Sequence, residues 1–476
     1  MIHIPILRWG EAYYSLKRST LRDIRTGEPV AEMSLANGGL IGRDLGQVAE
    51  CQRRLAAVGC EELVEICGRA AKVFVEGELP LGEGVQSPEE YIAQLSATTG
   101  MPQSLCRRNS EKIRLALSEM GDVLDGLTRG MSLSVLDAGW GTQEGRTVSY
   151  LRQADALGAV LPNNSPGVHS LWLPAIPLKV PLALKPGSEE PWTPYRIAQA
   201  FISAGCPPEA FGFYPCDYGA ATQILLRCER SMVFGGEATV GPWRADPRIE
   251  IHGPGRSKIL FGADSVDEWE EHLEVMAASV AENGGRSCIN ASGVWVPSRG
   301  REIAEGLARR LAQIEPRALD DANAELAAFS KPELAHRLSE LIDRQLKTPG
   351  AEDLTAKVRG TARVAEVGGC TFLRPTVIWC EDPQHPLANA EYLFPFVSVV
   401  EMGQRHVLET IGPTLVATAI TEDEFFIEEL LACTSVDRLN LGPMQTNRIS
   451  RDQPHEGNLF EFLYRQRAFA TIPMRA

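Results

Sequence analysis

Apolar residues in the first third of the chain fall at helical spacing once a mixed opening stretch has passed. "AECQRRLAAVGCEELVEICGRAAKVF" carries the pattern first. "SPEEYIAQLSATTG" opens with a capping serine, has carboxylates in its first turn and stops at a glycine. "SLCRRNSEKIRLALSEMGDVLDGL" continues at a period of 3.6 residues. From about residue 156 the pattern changes. "ALGAVLPNN", "PLALKPGS", "AFGFYPCD" and "SMVFGGEA" are short apolar runs that end in Gly, Pro or polar residues. "PWTPYRIAQAFISAG" and "YGAATQILLRCE" lie between them and read as helices. Buried strands alternating with helices predict βαβ units and a parallel sheet, with ligands at the carboxyl ends of the strands. A second α/β section starts at about 249. In "SVDEWEEHLEVMAASVAEN", Val266, Trp269, Leu273, Met276 and Val280 mark one helix face, and Asn283-Gly284-Gly285 stops it. "ASGVWVP" reads as the next strand, so Cys288 falls on a tight helix-to-strand connection where its sulfur can face a cleft.

Length and composition change this picture little. A chain of 476 residues predicts two or three domains, and 44% apolar with 23% charged residues is ordinary for a globular protein. The longest apolar stretch, "LWLPAIPLKVPLAL", is interrupted by Pro174, Pro177, Lys179 and Pro181, so no membrane span is expected. "MIHIPILRWGEAYY" has no secretion-signal pattern, which gives a cytoplasmic reading with reduced thiols. A net charge of −15 argues against nucleic acid as a partner. The 11 cysteines include no CxxC pair, and His455-Glu456 is not part of an HExxH motif, so no metal site is expected. Cys51, Cys60 and Cys67 lie in a helical pattern and read as small core residues.

Four ordered segments resemble the aldehyde dehydrogenase superfamily, from about residue 156 to the C-terminus. "LPNNSP", 161–166, is similar to a Pro-x-Asn-x-Pro stretch and puts Asn164 at the oxyanion-binding amide. "LKPGSEEPWTP", 184–194, is similar to a Lys-Pro-Ser-Glu segment. Lys185 matches the lysine on the adenosine ribose, and Ser188 stands where a glutamate often selects NAD. Serine there leaves room for a 2′-phosphate, whereas a shift of one residue would return Glu189 to the NAD role. "FGGEATVG", 234–241, resembles Phe-Thr-Gly-Ser-x-x-x-Gly, with Phe234, Gly236 and Gly241 in place. It departs at Glu237, whose carboxylate would repel a diphosphate unless it points away. "NGGRSC", 283–288, resembles Asn-x-Gly-Gln-x-Cys and makes Cys288 the nucleophile. Arg286 replaces glutamine, a nearby cation that would favour the thiolate.

The largest departure concerns the base for water. Where hydrolytic members have Glu-Leu-Gly-Gly-Lys-Ser, this chain reads "IEIHGPGRSKIL", 249–260. That places His252 at the glutamate position and Glu250 two residues earlier, about 6–7 Å back on the same strand face. The "HGP…S" form resembles the acyl-CoA reductase branch and points to coenzyme A as acyl acceptor, although histidine can also act as a base near neutral pH. In "EYLFPFVSVVEM", Phe394 would face the nicotinamide, and Glu391 lies one residue out of pattern.

The resemblance implies an α/β fold of the aldehyde dehydrogenase type, with a Rossmann-like cofactor domain, a second α/β catalytic domain and a small bridging β element. The expected divisions are 1–135, a mostly helical part of the cofactor domain; 136–156, a bridging hairpin; 157–248, the NAD(P)-binding part; 249–434, the catalytic domain with Cys288; and 435–476, a C-terminal return with an edge strand in "RAFATIPMRA". An edge strand of this kind implies a homodimer or tetramer. The expected chemistry is NAD- or NADP-dependent interconversion of aldehyde and acyl-CoA. A hydrolytic dehydrogenase and a non-catalytic binding protein on the same fold are the alternatives.

Overall fold

The structure is a computed structural model that describes residues 2–453 and 457–470. Two seven-stranded sheets organise it. In the first, the strands run in the order Ile249–His252, Arg230–Phe234, Leu157–Val160, Leu182–Lys185, Phe211–Phe213, Ile6–Arg8, Glu11–Tyr13. The first five are mutually parallel, and the two N-terminal strands add antiparallel at one edge through Leu7 and Phe213. The chain fills one half of the sheet outward from Leu157–Val160 and then returns to fill the other. The order therefore reverses between Leu157–Val160 and Arg230–Phe234, and the loops after these two strands border the crevice where such sheets bind ligands.

The second sheet runs Ala351–Asp353, Thr376–Cys380, Phe396–Glu401, Ala291–Val296, Ser257–Phe261, Thr414–Ile420, Val436–Leu441. It is parallel except at the Ala351–Asp353 edge. Its inner strands are apolar on both faces because helices cover both. The strand Ile249–His252, which the sequence places at the head of the second section, pairs instead with Arg230–Phe234 in the first sheet. The second sheet begins only at Ser257. The turn between the two, 253–256, is thus the crossing between the sheets.

Local signals behave as their chemistry requires. Ser87 and Glu90 form a reciprocal capping box at the head of helix Pro88–Thr99, and Gly100 ends it in a left-handed conformation. The periodic stretch 104–127 is two helices, Gln103–Ser118 and Met120–Thr128, because Glu119 leaves helical dihedrals. The stretch 266–280 is likewise not one helix. Val266–His272 winds as a 3-10 helix, and the α-helix is Leu273–Ala281. Three residues per turn still brings Val266 and Trp269 to the buried side, so the apolar face survives the change of winding.

A small hairpin, Gly141–Gln143 with Arg146–Val148, is followed by Tyr150–Arg152, which pairs antiparallel with Tyr464–Gln466. The strand that joins this ribbon therefore precedes the "RAFATIPMRA" segment, whose residues 471–476 lie outside the described residues. Among the described residues, no helix is long and apolar enough to cross a membrane.

Candidate active site

Cys288 sits between helix Leu273–Ala281 and strand Ala291–Val296. Three consecutive residues before it, Asn283, Gly284 and Gly285, have positive φ angles of 57°, 66° and 68°. Such a run is open mainly to glycine and asparagine. At Gly285 space forbids a side chain as well, since a Cβ would collide with the Phe394 carbonyl carbon and Pro395 nitrogen. From the other side Gly255 lies against the Cys288 carbonyl, where a Cβ would also collide. Ser257 Oγ donates to that carbonyl at 2.9 Å. Glu391 closes the support by accepting the backbone N–H groups of Gly255 (3.2 Å) and Arg256. That is what the out-of-pattern carboxylate does here: it pins the turn that crosses between the sheets.

Behind the cysteine lies a buried amide–hydroxyl network. Asn109 Nδ2 donates to Asn283 Oδ1 at 2.6 Å, and Asn283 Nδ2 donates to Ser165 Oγ (3.0 Å) and Ser287 Oγ (3.1 Å). Asn109 Oδ1 accepts from Gly167 N at 3.1 Å. The sequence reading missed Asn109, which looks like any polar residue of an amphipathic helix. Asn164 Nδ2 donates to the Arg286 carbonyl at 2.7 Å and so ties the 161–166 loop to the cysteine turn. Arg286 itself departs from expectation. Its guanidinium donates to the carbonyls of Thr99 (3.0 Å) and Ala328, and burial lowers its pKa to about 10. Its observed bonds fasten the turn to the loops behind it and do not reach the Cys288 sulfur.

Cys288, Asn164, His252 and Glu250 all line one cavity of about 350 Å³. His252 stacks on Phe234, with ring centroids 4.2 Å apart and planes 9° from parallel. The residues are neighbours in register across the two strands. Glu250, which sequence spacing places further back, lines the cavity with His252.

The residues expected to hold a cofactor lie along the carboxyl edge of the first sheet, with one exception. Lys185 ends its strand half-buried, and burial lowers its pKa. Gly187 approaches the 161–164 loop so closely that a Cβ would collide with Asn163, whose Oδ1 accepts from Glu189 N at 2.9 Å. Ser188 is exposed. The Glu189 carboxylate faces the second section, accepting from Ser330 Oγ at 2.9 Å and pairing with Lys331 at 3.5 Å. Gly236 is exposed with open space beside it, and Gly241 closes the short helix Glu237–Val240. Glu237 forks onto Arg244 at 2.8 and 3.1 Å, and this pairing holds its carboxyl below the usual range. That neutralises the charge that would oppose a diphosphate, so the turn fits a dinucleotide. Phe394 is the exception. Its ring is 3% exposed between Tyr392 and Phe396 and does not open to the crevice.

His455 and Glu456 lie outside the described residues. Among the described residues no cluster of three His, Cys, Asp or Glu side chains could hold a metal ion.

Residues 85–410 match the aldehyde dehydrogenase family, and the chain belongs to it. Phenylacetaldehyde dehydrogenase of Pseudomonas fluorescens is 25% identical over 276 residues, covering 56% of this chain and 50% of that protein. The chain spans about half the length of the curated relatives it matches. Solved structures extend the likeness of fold to almost the whole chain. Succinate-semialdehyde dehydrogenase from Burkholderia pseudomallei superposes with a TM-score of 0.76 at 14% identity, covering 98% of this chain and 97% of that one. The NAD+ complex of an aldehyde dehydrogenase from Bacillus cereus gives 0.76 at 15% identity, covering 98% and 96%.

Proposed function

We propose that this protein is an NAD(P)-dependent aldehyde dehydrogenase working through Cys288. The observation that carries this reading is the meeting of Cys288, Asn164, His252 and Glu250 in one cavity beside the carboxyl edge of a doubly wound sheet. The Cys288 thiolate attacks the aldehyde carbon, and the C=O π pair moves onto oxygen. The Asn164 amide has two N–H groups. One holds the Arg286 carbonyl, and the other can donate to the oxyanion. Lys185, Ser188, Phe234, Gly236 and Gly241 would hold NAD(P), which would supply the hydride acceptor: the oxyanion re-forms C=O, the carbon loses its hydride, and an acyl-cysteine remains. Glu250 or His252 then takes a proton from water attacking the acyl-cysteine, the C–S bond breaks, and a carboxylic acid leaves.

Release of the acid is the outcome the geometry favours, because a carboxylate lines the same cavity as the cysteine. Coenzyme A as acceptor is the second reading, and it rests on His252 standing at the glutamate position of the family pattern. Product analysis with and without coenzyme A separates them. We expect acid at an unchanged rate in both. Acceleration by coenzyme A, together with reduction of acyl-CoA to aldehyde, would establish the second reading.

Ser188, which would meet the 2′-position of the adenosine ribose, is exposed, while the Glu189 carboxylate is engaged by Ser330 and Lys331. NADP should therefore be used with kcat/KM within about tenfold of NAD, a margin of about 1.4 kcal/mol. A preference for NAD above a hundredfold that Glu189→Gln removes would mean that Glu189 turns back to the ribose. We further propose that the enzyme is a homodimer or tetramer joined through the ribbon of Tyr150–Arg152 and Tyr464–Gln466.

A further inference from the structure

The lining of the Cys288 cavity is of three kinds. The reacting centre contributes Asn164, Ser165, Ser287, His252 and Glu250. Exposed polar side chains, Lys112, Ser450 and Gln453, also line it. The third kind is an apolar belt. Leu115 comes from helix Gln103–Ser118, and Met120, Val123 and Leu127 come from one face of helix Met120–Thr128. Leu171 and Met232 contribute from the first section's 3-10 turn and strand.

Two features limit what can lie in this belt. A hydroxyl or carboxylate placed against these apolar side chains would lose its water without gaining a partner from them. Among the described residues, the two Lys and Arg side chains of the lining are also already matched by carboxylates, Lys112 by Glu282 at 3.5 Å and Arg451 by Glu119. A second carboxylate on a substrate would have to displace one of them.

We infer that the cavity takes an uncharged molecule with an apolar tail longer than that of butanal, the substrate being the corresponding aldehyde. The tail lies between helix Met120–Thr128 and the 3-10 turn Pro166–Leu171. This inference rests on the aldehyde dehydrogenase reading for its chemistry and on the lining alone for its class of ligand.

The test has a kinetic and a binding arm. With straight-chain aldehydes of increasing length, kcat/KM should rise about fourfold per methylene and level off near the length that fills the belt. Succinic semialdehyde should fall well below butanal. In the binding arm, calorimetry on Cys288→Ser should show decan-1-ol binding more than tenfold tighter than butan-1-ol. Val123→Trp and the milder Leu115→Phe should each weaken decan-1-ol more than butan-1-ol. If decan-1-ol binds in this manner but no aldehyde is oxidised, the ligand class stands and the dehydrogenase reading falls. If acetaldehyde or succinic semialdehyde is the best substrate, or decan-1-ol gains nothing over butan-1-ol in folded protein, the apolar class is wrong.

Discussion

A thiol serves as a nucleophile only as its thiolate, so the setting of each cysteine decides its use. Burial pushes the Cys51 thiol up to about 11 and those of Cys60 and Cys216 to about 12, which leaves them protonated at neutral pH. Cys288 differs from these in lining the cavity. Brief treatment with iodoacetamide at pH 8 should label Cys288 ahead of Cys51, Cys60 and Cys216, as read by peptide mass spectrometry. Cys288→Ala should abolish turnover and leave NAD(P) binding intact by thermal shift. Activity within a few-fold of the parent would remove the cysteine from the mechanism. Cys288 was legible in the sequence because a glycine-rich turn next to a cysteine leaves few structural roles open. Asn109 was not, since its partner Asn283 lies 174 residues away and only folding brings them together. Arg286 was read from its charge, but charge does not reveal which way a side chain points. Its guanidinium bonds to Thr99 and Ala328 instead.

At the scale of elements, the turns carry the site, and two glycines in them should respond differently to the same substitution. Gly285 has φ 68° and its missing Cβ is occupied by the Phe394–Pro395 backbone. Gly285→Ala must bear a strained dihedral, about 1–3 kcal/mol, and also move the Phe394–Pro395 backbone. Gly236 has φ −70° with open space beside it. Gly236→Ala should keep the parent melting temperature within a degree or two and weaken cofactor binding, whereas Gly285→Ala should melt several degrees lower and lose activity. Equal melting temperatures would show that the cysteine turn is not held as tightly as its contacts require. Short strands such as Leu157–Val160 and Leu182–Lys185 were legible because apolar runs ended by Gly or Pro have few other readings. The break at Glu119 and the 3-10 winding at 266–272 were not, because an amphipathic face persists through both and periodicity alone does not detect a change of winding.

Across the whole molecule, alternating strands and helices in the sequence point to parallel sheets but not to strand order, because order depends on contacts distant along the chain. Leu7 pairing with Phe213 at the sheet edge is such a contact, and so is the capture of Ile249–His252 by the first sheet. The ribbon of Tyr150–Arg152 and Tyr464–Gln466 raises the question of what covers it. It has only two strands, and an isolated two-stranded ribbon is marginal in water. Nearby, Trp140 is 44% exposed and rests on Phe469, with ring centroids 5.3 Å apart, an apolar surface that the fold itself leaves uncovered. Unpaired strand edges and exposed aromatics together favour a second copy of the chain. Sedimentation should therefore give a dimer or tetramer of the 52.0 kDa chain at micromolar concentration. Trp140→Lys should shift the population toward monomer. A parent protein that sediments as a monomer at that concentration would mean that the ribbon and its aromatic pair stand alone in solution, and the proposed assembly would be wrong.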